Sequence, residues 1–254
     1  MAKHVELTGK RDRLPVMRRL ATWMLARQQP GGGFARHKVS YPEGEDSGFV
    51  SQYYPGEAIL GLMRLYALTE DEQYLEAADK GARYIIEVRD HGLPPHMLPH
   101  DHWLLYGLAE LYTLRDHRVY LDHVLLLGGV ILASQHLNPL EPDWRGGFYD
   151  PPRNAPTATR GEGLLAAYRL LKHAGRDEAA DKCLRGAALA AAFMLHTQFR
   201  PPSAMYMKRP KACLGGFHES LTNFDVRIDY VQHSISALLA LDKAVARERE
   251  AEAR

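Results

Sequence analysis

Cysteine is nearly absent. Cys183 and Cys213 are the only two in 254 residues, far apart and outside any Cys-x-x-Cys spacing. A disulfide framework is therefore excluded as the source of stability. An excess of one charge is missing too: 32 Lys and Arg face 31 Asp and Glu, a net +1. No broad field draws the chain to nucleic acid or to an anionic bilayer, so neither is expected as a partner. No apolar run approaches the roughly 18 residues that a membrane-spanning helix requires. No segment alternates apolar and polar residues over a strand's length between turn residues, so strand signals are lacking. Gly31-Gly32-Gly33 follows a helical pattern rather than a strand, which excludes the phosphate-cradling loops of nucleotide enzymes. The opening Met-Ala-Lys-His-Val-Glu has no apolar signal-peptide core, and a cytoplasmic location is expected.

What remains is helical periodicity. Residues 12–29 repeat Leu14, Met17, Leu20, Ala21, Met24 and Leu25 at steps of three and four, until Pro30 and the glycines stop them. A long, aromatic-rich loop over 30–54 leads to Pro55 and an apolar helix through Tyr66. Thr69-Glu70-Asp71-Glu72 then opens an amphipathic helix to about Val88, with Glu76, Asp79, Lys80 and Arg83 expected outward. This pair, an enclosed inner helix followed by an outer one, returns at 101–114 with 118–136 and at 160–173 with 176–198. A fourth inner helix is expected over 228–246, followed by a charged tail. The prediction is an all-α fold of about eight long helices, a single domain over 1–254. Short inner-to-outer turns make antiparallel hairpins, so the long loops and the inner-helix starts gather at the opposite end. A second repeat marks those loops: Gln29 precedes Gly32-Gly33-Phe34, Gln135 precedes Gly146-Gly147-Phe148, and Gln198 precedes Gly215-Gly216-Phe217.

The candidate chemistry lies at the inner-helix starts. Glu57 and Glu162 stand in comparable Gly-flanked contexts, and two carboxylates facing one cavity can act as acid and base in glycoside cleavage. First-turn glutamates also satisfy free amides and the helix dipole. Asp101 and His102 could transfer protons beside Trp103, or Asp101 could simply cap a helix while Trp103 packs. His96, His100 and His102 match no zinc spacing, and no metal or cofactor is expected. The densest cluster holds Arg227, Asp229, Tyr230 and His233; Asp229 and His233 are four apart, and Arg227 could clamp a carboxylate. Arg160, with Arg145, Arg153, Lys208, Arg209 and Lys211, leans toward an acidic ligand.

Tyr54-Pro55-Gly56-Glu57-Ala58, then Leu62, Leu65-Tyr66 and Tyr74-Leu75 with Ala77-Ala78, resembles a hairpin of the (α/α) toroid superfamily, the six-hairpin glycosidases and N-acylglucosamine 2-epimerases. The Gln and Gly-Gly-Phe units are more similar to the turns of the terpenoid cyclases and prenyltransferases. The chain departs from both of these: Asp225-Val226-Arg227-Ile228-Asp229 has the wrong spacing for a cyclase acid, and Cys213, His218 and Asp225 form no prenyltransferase zinc motif. The resemblance implies a toroid-like array of about four hairpins, an incomplete barrel whose open edge a second copy or a partner domain would cover. It further implies a carbohydrate-active protein: a glycoside hydrolase, lyase or epimerase acting on a sugar or uronic acid. Glu57, Asp101, Glu162, Asp229 and His233 would be its catalytic residues. Tyr53, Tyr54, His102, Trp103, Trp144, Phe148, Arg160, Arg227 and Tyr230 would bind the small carbohydrate ligand. A non-catalytic binding or assembly module is the alternative, and isoprenoid chemistry the third.

Overall fold

The computed structural model describes residues 1–253. Its regular elements are all helical among those residues: α1 (Ala2–Thr8), α2 (Leu14–Leu25), α3 (Tyr54–Thr69), α4 (Glu72–Tyr84), α5 (His102–Leu111), α6 (Arg118–Ala133), α7 (Asn154–His173), α8 (Asp177–His196), α9 (Pro201–Ala204), α10 (Pro210–Cys213) and α11 (Ile228–Glu252). Eight of these have ten residues or more, and they are the eight that periodicity predicts. Two boundaries differ in instructive ways. α7 starts at Asn154 rather than near 160, because Pro156 falls in its first turn, where a missing N–H costs nothing. From 247 to 252 the charged tail continues α11, since Ala, Glu and Arg are strong helix formers. The chain divides into two compact units, Met1–Val124 and Leu125–Arg254.

In the first unit α3 and α5 run side by side with their starts together. A side chain at Gly56, in the first turn of α3, would come within 2.7 Å of the Asp101 carboxyl that precedes α5. One turn on, Gly107 of α5 lies against Ile59 of α3. α4 returns antiparallel over α3, its Gly81 admitting Ile59 and the Phe34 ring. Ile59, Leu62, Leu65, Leu104, Leu105, Leu108 and Leu111 are all fully buried here, each contributing about 1.5–3 kcal/mol of apolar transfer. Asp79, expected outward, is instead buried: it accepts a hydrogen bond from Tyr120 and pairs with Arg83 at 3.3 Å and Arg115 at 3.4 Å. Burial and that carboxylate hold the Tyr120 hydroxyl firmly protonated.

In the second unit α7 and α8 form an antiparallel hairpin, and α11 lies parallel to α7. At one end Asn154 donates to Thr197 at 2.8 Å and shares hydrogen bonds with Ser234, tying the starts of α7 and α11 to the end of α8. At the other end Tyr168 of α7 donates to Glu248 of α11, with Lys172 alongside. Gly186 of α8 admits Leu164 and Leu132, and Gly161 of α7 faces Ala190.

The Gly-Gly-Phe turns share one geometry, with the glutamine of the first shifted by one position from the sequence reading. Gln28, not Gln29, corresponds to Gln135 and Gln198. Gln28 reaches the carbonyls of Gly32 (3.0 Å) and Ala77 of α4 (2.8 Å), and Gln135 reaches those of Gly146 and Gly186 of α8 (both 2.9 Å). The backbone agrees: Gln29, His136 and Phe199 each donate to the second glycine of their turn. The first glycine has a positive φ in every copy, 97° at Gly32, 89° at Gly146 and 84° at Gly215, a region that other residues rarely adopt.

Candidate functional site

Asp101 is the focal group of the first unit. It precedes α5 in extended conformation, and its Oδ1 accepts from the Leu104 amide at 3.1 Å, a helix cap. The side chain is wholly enclosed, because Gly56 lets α3 close over it. Burial outweighs the cap bond and the charge of Arg89 and pushes the carboxyl up to about 7. Oδ2 has no hydrogen-bond partner among the described residues. The adjoining His102 is buried, with Trp103 at 4.5 Å and Tyr53 edge-on at 6.1 Å between ring centres. Tyr54 points elsewhere, packing against Phe34 and His37 with its hydroxyl buried and its ionisation suppressed by that burial. Glu57 sits in the first turn of α3 and is exposed, the position that complements the helix dipole. His96 lies on an exposed turn, whereas His100 is half-buried.

Sequence reasoning missed a neighbouring cluster. After α4 the chain makes one wide helical turn, Ile85–Arg89, and then buries Asp90. Arg89 grips that carboxylate at 2.6 and 3.0 Å while His123 stands 3.5 Å away. Burial would raise the Asp90 carboxyl, but His123 and Arg89 together hold it below the usual range. Arg89 also donates to the Gln52 carbonyl, which fixes the segment carrying Tyr53. The adjacent residues Arg89 and Asp90 look like an ordinary surface pair in sequence; the wide turn that directs both inward leaves no such mark.

In the second unit, Glu162 and His233 form the central pair. Glu162 is the ninth residue of α7 rather than a helix-start residue, so neither the dipole nor free amides account for it. It is 2% exposed, and its Oε2 lies 2.7 Å from His233 Nδ1 on α11. With Nδ1–H donating to Glu162, the ring's lone pair lies on Nε2. The imidazole is thus oriented by a carboxylate. Asp229, four residues before His233, turns instead to Arg227 at 3.0 Å, and that guanidinium lies over the Tyr230 ring. Burial lowers the affinity of the nearby His218 for a proton.

The remaining predicted ligands divide by exposure. Phe148 is 1% exposed, its ring enclosed by the core with Arg160 above it at 5.7 Å; no face is left for stacking. Tyr230 is likewise buried among Ala158, Met194 and Phe217. Arg160 is buried, donating to the Pro156 carbonyl at 3.1 Å and lying 4.8 Å from the Tyr149 ring centre. Trp144 is half-buried on a short turn against His136. Tyr149, its ring beneath Arg153 and Arg160, is an exposed aromatic that sequence reading did not single out.

Compared with known proteins, the chain matches no protein family, no curated protein and no solved structure.

Proposed function

We propose that the chain is a carbohydrate-active enzyme, a lyase or epimerase for a uronic-acid-containing sugar, with His233 as its proton-transfer residue. The observation that carries this reading is the hydrogen bond between the half-buried His233 and the buried Glu162. Glycoside hydrolysis relies on two carboxylates that flank the scissile bond. Here Glu162 is engaged with an imidazole and Asp229 with Arg227, which favours histidine-mediated proton transfer over hydrolysis. His233 Nε2 would take the proton from the carbon beside the substrate carboxylate, and the electron pair would pass into that carboxylate as an enediolate. Delivery of a proton from solvent to the opposite face, with His233 releasing its own to solvent, gives the epimer; expulsion of the substituent one carbon further, its oxygen taking the proton that His233 carries, gives an unsaturated sugar. Arg227, on the same end of α11, offers the bidentate cation that stabilises the enediolate. The carbohydrate part of the reading comes from the likeness of Tyr54–Ala58, Leu65-Tyr66 and Tyr74-Leu75 to carbohydrate-active hairpins.

The test is solvent exchange. Uronic acids and their oligomers are incubated with enzyme in deuterated buffer, and label at the carbon beside the carboxylate is followed by NMR. Wild type should exchange that proton. His233→Ala should lose about 10²-fold or more in rate, the usual span for a general base. Glu162→Gln should lower kcat with little change in KM, since it misorients the ring without touching substrate. Exchange undiminished in His233→Ala, or absent with every uronic acid in wild type, would sink the proposal.

A further inference from the structure

The three Gly-Gly-Phe turns are alike in backbone but not in what covers them. In the first, the helix covering the turn is α4: Gln28 bonds the Ala77 carbonyl, and a Cβ on Gly32 would lie 2.3 Å from the Lys80 carbonyl oxygen. A Cβ on Gly33 would lie 2.9 Å from the Tyr84 ring. In the second, α8 covers the turn by the same contacts: Gln135 bonds the Gly186 carbonyl, the Gly146 Cβ would meet the Leu189 oxygen at 2.1 Å, and the Gly147 Cβ would meet the Phe193 ring at 3.1 Å. The covering helix thus presents carbonyls at positions i and i+3 and an aromatic at i+7. Its sequence is small-small-x-x-small-small-x-aromatic: Ala77-Ala78, Gly81-Ala82, Tyr84 in α4 and Gly186-Ala187, Ala190-Ala191, Phe193 in α8. Small residues are what allow turn and helix backbones to approach so closely.

The third turn has the same form and no such cover among the described residues. Gln198 bonds only the Gly215 carbonyl, at a long 3.4 Å, and nothing lies within 4 Å of where a Gly215 Cβ would be. An apolar stripe continues from it along α11, where Ile228, Ile235 and Leu239 are 85%, 47% and 58% exposed, opposite the buried Tyr230, Ser234 and Ala237. The stripe starts beside the turn: Val226, two residues before Ile228, would lie 3.5 Å from a Cβ on Gly216. Leu214 beside the turn is also exposed.

We propose that the third turn and the outer stripe of α11 are a docking site for an α-helix of another protein, one carrying the pattern shared by α4 and α8. The two filled turns define the occupant. A second folded copy of this chain cannot supply it, because its own α4 and α8 are already committed to their turns. Charge refines the partner: residues 199–218 contain Arg200, Lys208, Arg209 and Lys211 and no acid, so the docking helix is acidic along its flank. The site does not depend on the chemistry at His233.

The probe is a labelled peptide with the sequence of residues 70–86, which carries the pattern of α4 together with Glu70, Asp71, Glu72, Glu76 and Asp79. Titrated against the whole protein and followed by anisotropy, it should bind saturably with Kd on the order of 100 µM or tighter, the weak end expected of a short helix that must order on binding. Binding should weaken at least about tenfold for Leu239→Glu and for Gln198→Ala. It should weaken similarly when the peptide carries Leu at both positions corresponding to Ala77 and Gly81. Circular dichroism checks that both protein variants keep their helices; Leu239 is on the surface, so its replacement leaves the core intact. Binding that is absent in wild type, or indifferent to these three changes, overturns the proposal. So does sedimentation showing the protein alone as a dimer that Leu239→Glu dissolves, since the stripe would then serve a second copy.

Discussion

Asp101 shows how one buried carboxylate can be both scaffold and titrating group. Its cap bond to Leu104 is a structural duty, and its enclosure under Gly56 makes ionisation costly. The consequence for stability has a definite sign. The folded-state value, about 7, lies above the roughly 3.9 of an unfolded aspartate, so the native state keeps a proton that the unfolded chain releases. This contribution to stability is complete below pH ~4 and is lost as pH rises through ~7. Asp101→Asn keeps a capping oxygen but cannot ionise. Urea unfolding at pH 5 and pH 8 should show the variant gaining on wild type by on the order of 2 kcal/mol across that interval. An identical pH dependence in both proteins would mean that water reaches the carboxyl. Both Asp101 and Glu162 could be singled out from sequence, but not what each touches. Asp101 met the expected cap geometry, while the partner of Glu162 lies 71 residues away on α11, beyond the reach of any local pattern.

Helix cores and most helix starts were legible from periodicity, and the start of α7 was not. Pro151, Pro152 and Pro156 read as loop, yet Pro156 lies inside the first turn of α7, which moves Glu162 from a helix start to its middle. The turns were legible as a repeat, but assigning the glutamine needed the structure, because Gln28 and Gln29 are adjacent and only one faces Ala77. The same repeat permits a matched pair of substitutions. Gly146→Ala and Gly215→Ala both place a methyl group on backbone with positive φ, 89° and 84°, and should share a backbone cost of about 1–2 kcal/mol. Only Gly146→Ala drives that methyl into the Leu189 carbonyl, 2.1 Å away, adding about 1–3 kcal/mol of overpacking. Denaturant midpoints should therefore rank wild type above Gly215→Ala and Gly215→Ala well above Gly146→Ala. Equal losses would show that the turn, and not its contact with α8, sets the requirement for glycine.

At the scale of the whole molecule, the absences in the sequence were as informative as its motifs. Without strand alternation, a cysteine framework or a long apolar run, only packed helices were left, and no described helix is long and apolar enough to cross a membrane. The proposed ligand was not legible in that way, because specificity depends on a few side chains that distant segments bring together. It can still be read from the intact protein. Any ligand that binds only the folded state stabilises it by mass action, about 2.7 kcal/mol when present at a hundred times its Kd. For a chain of 254 residues each kcal/mol moves the melting temperature by about 2–4 °C. A uronic acid that occupies the His233 site should thus raise Tm by roughly 5–10 °C at that concentration. Its neutral sugar counterpart, lacking the carboxylate for Arg227, should shift Tm less, and Arg227→Ala should remove the difference while leaving the unliganded Tm close to wild type, as Arg227 is exposed. Equal shifts from neutral and acidic sugars would argue against a carboxylate clamp at Arg227.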